Sequence, residues 1–253
     1  MPERPVHDTT GGERHLSGEP AVHAVLFDVF GTLYDWRSSV ARDAARIAGP
    51  HAPSDIDWNA FAEAWRGRYQ PQLATVREGR RPWVDLDVLH AEALDDVLAE
   101  FGIDLPGHRR PELTRAWHRL DPWPDTVAGV ARLRRRFIVA PNSNGHIALL
   151  VHLARASGLV WDAVLGAEVA RAYKPLPVVY DTAVAALGLR PEQVLMVAAH
   201  PDDLVAAAAR GLRTAFVRRP EEWGSGPARD PDPPAGVDLV TGDIEDLATR
   251  LGA

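Results

Sequence analysis

No cysteine occurs in the 253 residues, which removes disulfides, thiolate nucleophiles and cysteine-ligated zinc from consideration. Nor does any apolar run approach the roughly 20 residues a helix needs to cross a bilayer. The N-terminal stretch carries no apolar segment of the secretory type, so the expected location is the cytoplasm. Positive charge is also scarce: 28 Lys and Arg face 35 Asp and Glu, a formal net charge of -7. Without a basic footprint, neither a nucleic acid nor an anionic membrane is an expected partner, and an anionic substrate must be captured by local donors.

What is present is ordinary for a globular chain, 46% hydrophobic and 25% charged, long enough for one large domain or a core with a smaller insert. Residues 1–20, rich in Pro, Gly, Glu, Arg and His, read as a tail outside the fold. The chain is organised around Val25-Leu26-Phe27-Asp28-Val29-Phe30-Gly31-Thr32-Leu33-Tyr34-Asp35. The apolar run 24–27 has the length of a buried strand and ends abruptly in an acid, an aromatic, a Gly and a Thr. At the carboxyl edge of a parallel sheet, Asp28 is a candidate nucleophile facing an anion; the plainer reading is an acid that caps a turn.

Residues 36–120 show helical patterns at 38–47, 58–76, 86–101 and 111–120 and no convincing strand. In the second, Phe61, Trp65, Tyr69 and Leu73 recur every four residues along one face. Five of the eight tryptophans (Trp36, Trp58, Trp65, Trp83 and Trp117) fall in this block, enough apolar surface for a small core of its own. From residue 121 the pattern alternates: strands at 137–140, 163–166, 194–199, 214–217 and 237–240, helices at 147–156, 178–187, 204–210 and 244–251. Such alternation predicts an α/β fold with a Rossmann-like, doubly wound parallel sheet. The expected organisation is a catalytic core of 21–35 plus 121–253, interrupted by a helical cap at 36–120, with the proline-rich stretch 227–234 as a loop. Three later strand ends should join Asp28 at one edge, bringing Ser143-Asn144-Gly145, Lys174-Pro175 and His200-Pro201-Asp202-Asp203. A hydroxyl, an amide, a lysine and a carboxylate gathered there are what a nucleophile and an anionic substrate require.

These motifs, together with Tyr173 and Tyr180, resemble those of the haloacid dehalogenase superfamily in order and spacing, over roughly residues 21–245, and most of all its type II (L-2-haloacid) dehalogenases. The resemblance implies a cap inserted after the first strand, and hydrolysis of a small halogenated carboxylic acid without a cofactor. Asp28 would displace halide to form an ester, and water activated by Asp203 beside Lys174 would hydrolyse it. Thr32 would position Asp28, and the amides of Val29 and Phe30 with Ser143 would hold the substrate carboxylate. Arg66 and Asn144 would receive the halide, with Arg68 and Arg77 as alternatives to Arg66. Tyr180 would orient Lys174 or the water, or serve only as a packed helix residue; Asp202 and Asp203 are also placed to cap the next helix. A homodimer is compatible with the family and the Trp-rich block, although the sequence does not itself show one.

Phosphatases of the superfamily carry a second Asp two residues after the nucleophile and bind magnesium through an acidic cluster. Phe30 stands at the first position, and Ala198-Ala199 replaces the Gly-Asp pair of the second, so no metal is expected. Ala198-Ala199-His200 also departs from the dehalogenase pattern Ser-Ser-Asn. His200 would act as a base titrating near neutral pH, as a donor to halide or ester, or as a steric filler. A magnesium-dependent phosphatase and a catalytically impaired haloacid- or hydroxyacid-binding protein stay open as alternatives.

Overall fold

The computed structural model describes residues 21–224 and 231–253. The expected tail and residues 227–230 of the proline-rich loop lie outside the described residues. The central strand, β1 (Ala24–Phe27), is buried on both faces: Val25 and Phe27 enter one apolar cluster, Ala24 and Leu26 the other. A two-residue strand β2 (Tyr34–Asp35) follows, then α1 (Trp36–Ala48), α2 (Trp58–Arg77), α3 (Leu86–Glu100) and the short α4 (Arg110–Thr114). The first three start at aspartates whose carboxylates accept backbone N–H groups: Asp35 from Ser38, Asp57 from Asn59 and Ala60, and Asp85 from Val88. The single helix expected at 111–120 is instead α4 followed by a 3-10 turn, Arg115–His118. Thr114 Oγ1 donates to the Arg110 carbonyl at 3.0 Å, competing with the backbone for that acceptor.

The chain returns through β3 (Asp121–Pro122), antiparallel to β2, and α5 (Thr126–Leu133) to β4 (Ile138–Ser143), α6 (Ile147–Ser157), β5 (Leu165–Gly166), α7 (Ala167–Ala170) and α8 (Pro177–Ala186). Next come β6 (Val194–Ala198), α9 (Pro201–Ala208), β7 (Arg213–Val217), β8 (Leu239–Thr241) and α10 (Ile244–Arg250). The parallel six-stranded sheet, in the order β5-β4-β1-β6-β7-β8, is the α/β fold expected. Phe27 pairs with Pro141 and with Val197, so the residues that follow β1, β4 and β6 emerge side by side at the carboxyl edge. One apolar cluster runs without a break from that sheet face into the helical block, through Trp36, Phe61, Trp65 and Trp117.

Helix α5 has no counterpart among the sequence expectations, and Gly129 in its middle weakens the helical signal. Gly129 is there because α10 packs against it: a Cβ would stand 2.6 Å from Ile244 Cγ2 and 2.7 Å from the Ile244 carbonyl carbon. Backbone cannot yield as a side-chain tip does. Gly129→Ala should therefore destabilise the protein by about 1–3 kcal/mol, read as a lower denaturant midpoint at unchanged slope.

Candidate active site

Asp28 leaves β1 at the sheet's carboxyl edge, and its two oxygens have different surroundings. Oδ2 accepts from Thr32 Oγ1 at 2.8 Å and from His200 Nδ1 at 3.0 Å. Oδ1 meets Lys174 Nζ at 3.5 Å. The same ammonium donates at 2.6 Å to Asp203 Oδ2, while Tyr180 donates to Asp203 Oδ1, also at 2.6 Å. Tyr180 thus holds Asp203, the acid that also holds Lys174. The Asp203 side chain serves this network in place of capping α9, whose N-cap His200 makes no side-chain capping bond. Thr32 is held in turn by Ala199 N, which donates to its hydroxyl at 3.0 Å, and Asn144 Oδ1 accepts from Lys174 N at 2.8 Å.

Asp28, Lys174 and Asp203 are buried and His200 is half-buried against them, so their charges depend on one another. Burial alone would raise the Asp28 carboxyl, but Lys174 and His200 outweigh it and hold it well below the carboxylate range. Burial would lower Lys174, and Asp203 with Asp28 reverse that and push it up. Asp203 stays above its ordinary value because burial is not fully offset by Lys174. His200 is the least expected case: burial would strip its proton, yet Glu222 and Asp28 raise it to about 10. Two carboxylate neighbours thus favour the imidazolium over a base titrating near neutrality. Its Nε2 donates to Glu222 Oε1 at 3.1 Å, and the same oxygen accepts from Trp36 Nε1 at 3.0 Å.

A cavity of about 550 Å³ opens beside this network. Asp28, Phe30, Asn144, Lys174, Tyr180, His200 and Asp203 line it from the sheet edge, and Arg66, Tyr69, Gln70 and Arg77 line it from α2. Val29, Thr32 and Ser143 do not: all three are buried behind it, and Ser143 Oγ accepts from Gly145 N at 3.1 Å. The Arg66 guanidinium lies 4.0 Å from the centre of the Tyr69 ring, and its Nε is buried with no hydrogen-bond partner among the described residues. Of the alternatives, Arg68 pairs with Glu100 at 2.6 Å away from the cavity. Arg77 donates to Gln70 Oε1 and to the Lys174 carbonyl, at 3.0 and 2.9 Å. Arg66 and Arg77 both line the cavity, and of the two only Arg66 has no hydrogen bond among the described residues.

A model of the haloacid dehalogenase-like hydrolases matches residues 22–211. The chain belongs to that family. Among curated proteins, this hydrolase is 30% identical over 214 residues to (S)-2-haloacid dehalogenase 1 of Pseudomonas sp. (strain CBS-3), covering 82% of this chain and 91% of that one. The crystal structure of a defluorinating L-2-haloacid dehalogenase superposes with a TM-score of 0.88 at 44% identity, over 92% of this chain and 96% of the other. That of the L-2-haloacid dehalogenase from Xanthobacter autotrophicus with chloropropionic acid covalently bound gives 0.77 at 25% identity, over 92% and 99%.

Glu222, Tyr69, Gln70 and Trp223 escaped the sequence reading, although Tyr69 stood on the apolar stripe of α2. Glu222 lies on the loop after β7, in no motif. Its one outward sign is Gly31: with φ at +84°, a Cβ there would stand 2.1 Å from Glu222 Oε1, so the motif glycine also makes room for this carboxylate. Glu222→Gln should lower the His200 titration midpoint, followed by NMR, from about 10 toward the ordinary imidazole value of 6.5. Because the folded value is the raised one, His200 stabilises the fold fully below pH 6.5 and loses that contribution as the pH rises through about 10. The variant should shrink this loss; an unchanged midpoint would mean that Asp28 alone holds the proton.

Proposed function

We propose that this hydrolase removes halide from small 2-haloacids, the L enantiomers first, through an ester formed on Asp28. The observation that carries the reading is the unequal environment of the Asp28 oxygens. Oδ2 is tied by Thr32 and His200, whereas Oδ1 has the longer Lys174 contact and is the freer one to attack. Oδ1 attacks the halogen-bearing carbon from the side opposite the halogen, forming a C–O bond as halide leaves with the C–X electron pair. Arg66 and Asn144 receive the halide, an interaction that strengthens only as charge develops. The turn after Asp28 binds the substrate carboxylate through the Phe30 amide, with Val29 and Ser143 buried behind the cavity wall supporting that turn.

In the second step water attacks Cγ of the ester and gives a proton to Asp203, whose burial suits it to accept one. Oδ2, now the ester carbonyl, takes up the negative charge facing two donors already in place, Thr32 and His200. Collapse expels the alkoxide of the 2-hydroxy acid, which takes the proton from Asp203. Asp28 is left as a carboxyl bearing the water oxygen and returns to the carboxylate by losing the second water proton to solvent. His200 thus supplies what Ala198-Ala199 cannot, which argues against an impaired binding protein. The covalently bound chloropropionic acid of the Xanthobacter autotrophicus relative is the precedent for the ester. The defluorinating relative makes fluoroacetate a substrate to test beside the chlorinated acids.

We read residues 36–120 as a cap that closes the cavity over a core of 21–35 plus 121–253, since the lining side chains come from α2 on one side and strand ends on the other. The phosphatase alternative finds little support. Phe30, where it needs a second carboxylate, is buried and packs edge-to-face on Trp117, ring centres 6.1 Å apart. Lys174 contacts both Asp28 and Asp203, a cation already placed between these two acids.

Brief incubation with L-2-chloropropionate in 18O-water, metal removed, should release chloride and place label in Asp28, read by mass spectrometry of the peptide. Asp28→Asn should do neither, and phosphate-ester turnover without halide release would overturn the reading. Arg66→Ala should lower kcat by about 10²–10³ with the fold intact, the cost of removing one donor from developing charge. A change confined to KM would assign Arg66 to ground-state binding.

A further inference from the structure

We propose that Asp87, His118 and His146 form a binding site for a divalent transition-metal ion of the zinc class, outside the catalytic cavity. Asp87 stands in the first turn of α3, His118 ends the 3-10 turn after α4, and His146 is the N-cap of α6. His118 Nε2 lies 2.8 and 3.0 Å from the two Asp87 oxygens, and His146 Nε2 lies 3.6 Å from Asp87 Oδ2. One ligand atom from each residue falls within 4.8 Å of the others. Tetrahedral coordination at about 2.0–2.2 Å requires ligand atoms about 3.3 Å apart, so small side-chain movements complete the set. Two imidazoles and one carboxylate suit zinc, cobalt or nickel and not magnesium or calcium, which take oxygen ligands. Asp87 is about one-third exposed, which leaves an entry path and room for water as the fourth ligand.

The side chains are also arranged as a site in waiting. His146 is buried, its Nδ1 has no hydrogen-bond partner among the described residues, and its Nε2 stops short of a hydrogen bond to Asp87. His118 Nδ1 is 2.8 Å from Nδ1 of the exposed His152. An ion at Nε2 displaces the proton that now bridges to Asp87 and requires one at Nδ1. His152 can accept that hydrogen bond by shifting its own proton to its other nitrogen, which fixes the ligand's tautomer. A bound ion would join α3 and the 3-10 turn to α6, two residues from Asn144, and so clamp the helical block to the strand ends.

The test uses the full chain after EDTA treatment. Cobalt chloride should give the visible d–d bands of four-coordinate cobalt at one equivalent, and zinc chloride should bind 1:1 by calorimetry. Zinc at 100 times its Kd should raise the melting temperature by about 5 °C or more. His146→Gln and Asp87→Asn should each weaken binding at least about tenfold, and Asp203→Asn should leave it unchanged. A melting scan of each metal-free variant confirms folding, and Asp87→Asn, on a part-exposed side chain, is the one expected to fold normally. No binding by wild type, full affinity in either ligand variant, or loss in Asp203→Asn would overturn the site.

Discussion

The ammonium of Lys174, held between Asp28 and Asp203, is the interaction on which the rest depends. Each of the three is buried, and an unpaired charge so placed would cost several kcal/mol. The carboxylates need the lysine to remain ionised, and the lysine needs them to remain at all. That mutual need constrains the fold: β1 and β6 must be neighbours so that Asp28 and the first turn of α9 reach one point, and the turn bearing Lys174 must come back over them. Asn144 fixes the lysine's backbone from one side and Arg77 from the other. In an overall acidic chain, Lys174, His200 and Arg66 offset Asp28, Asp203 and Glu222 locally, and Arg66 forms no ion pair among the described residues.

Legibility in the sequence followed the reach of the forces involved. β1 and Asp28 could be read because an apolar run ending in an acid is a local pattern, and the later strand ends because a parallel sheet delivers each to the same edge. The boundaries of α2 and α3 were close for the same reason, each opening at an aspartate and carrying an apolar stripe. Gly129 hid α5, since its reason for being glycine is Ile244, far along the chain. The helix expected at 111–120 gives way after Thr114 to a 3-10 turn, where the threonine hydroxyl shares the Arg110 carbonyl, a local bond that composition does not announce. Tyr180 was placed in the site with Lys174 or the water as its partner, and its hydrogen bond to Asp203, which also holds Lys174, was not legible because a motif gives a residue's presence and not the direction of its hydroxyl.

Glu222 shows where local reading ends. No spacing connects it to His200, 22 residues earlier, and still less to Gly31 or Trp36. The turn that carries the chain away from Asp28 leaves a space without a Cβ, the loop after β7 at the same sheet edge fills it with a carboxylate, and Trp36 and His200 secure that carboxylate. His200 could be weighed as base, donor or filler from sequence, but its protonation depends on this loop.

That protonation bears unequally on the two halves of the proposed reaction. A cation against Oδ2 draws electron density from the carboxylate and makes Asp28 a weaker nucleophile than a lone buried aspartate would be. In ester hydrolysis the same cation faces the oxygen where negative charge accumulates, and there it helps. Esterification also neutralises Asp28, one of the two groups holding the His200 proton, so the imidazolium then rests on Glu222 alone and becomes a stronger acid as it is needed. The site therefore gives up some reactivity in the displacement step to gain it in hydrolysis, and Glu222 sets the exchange.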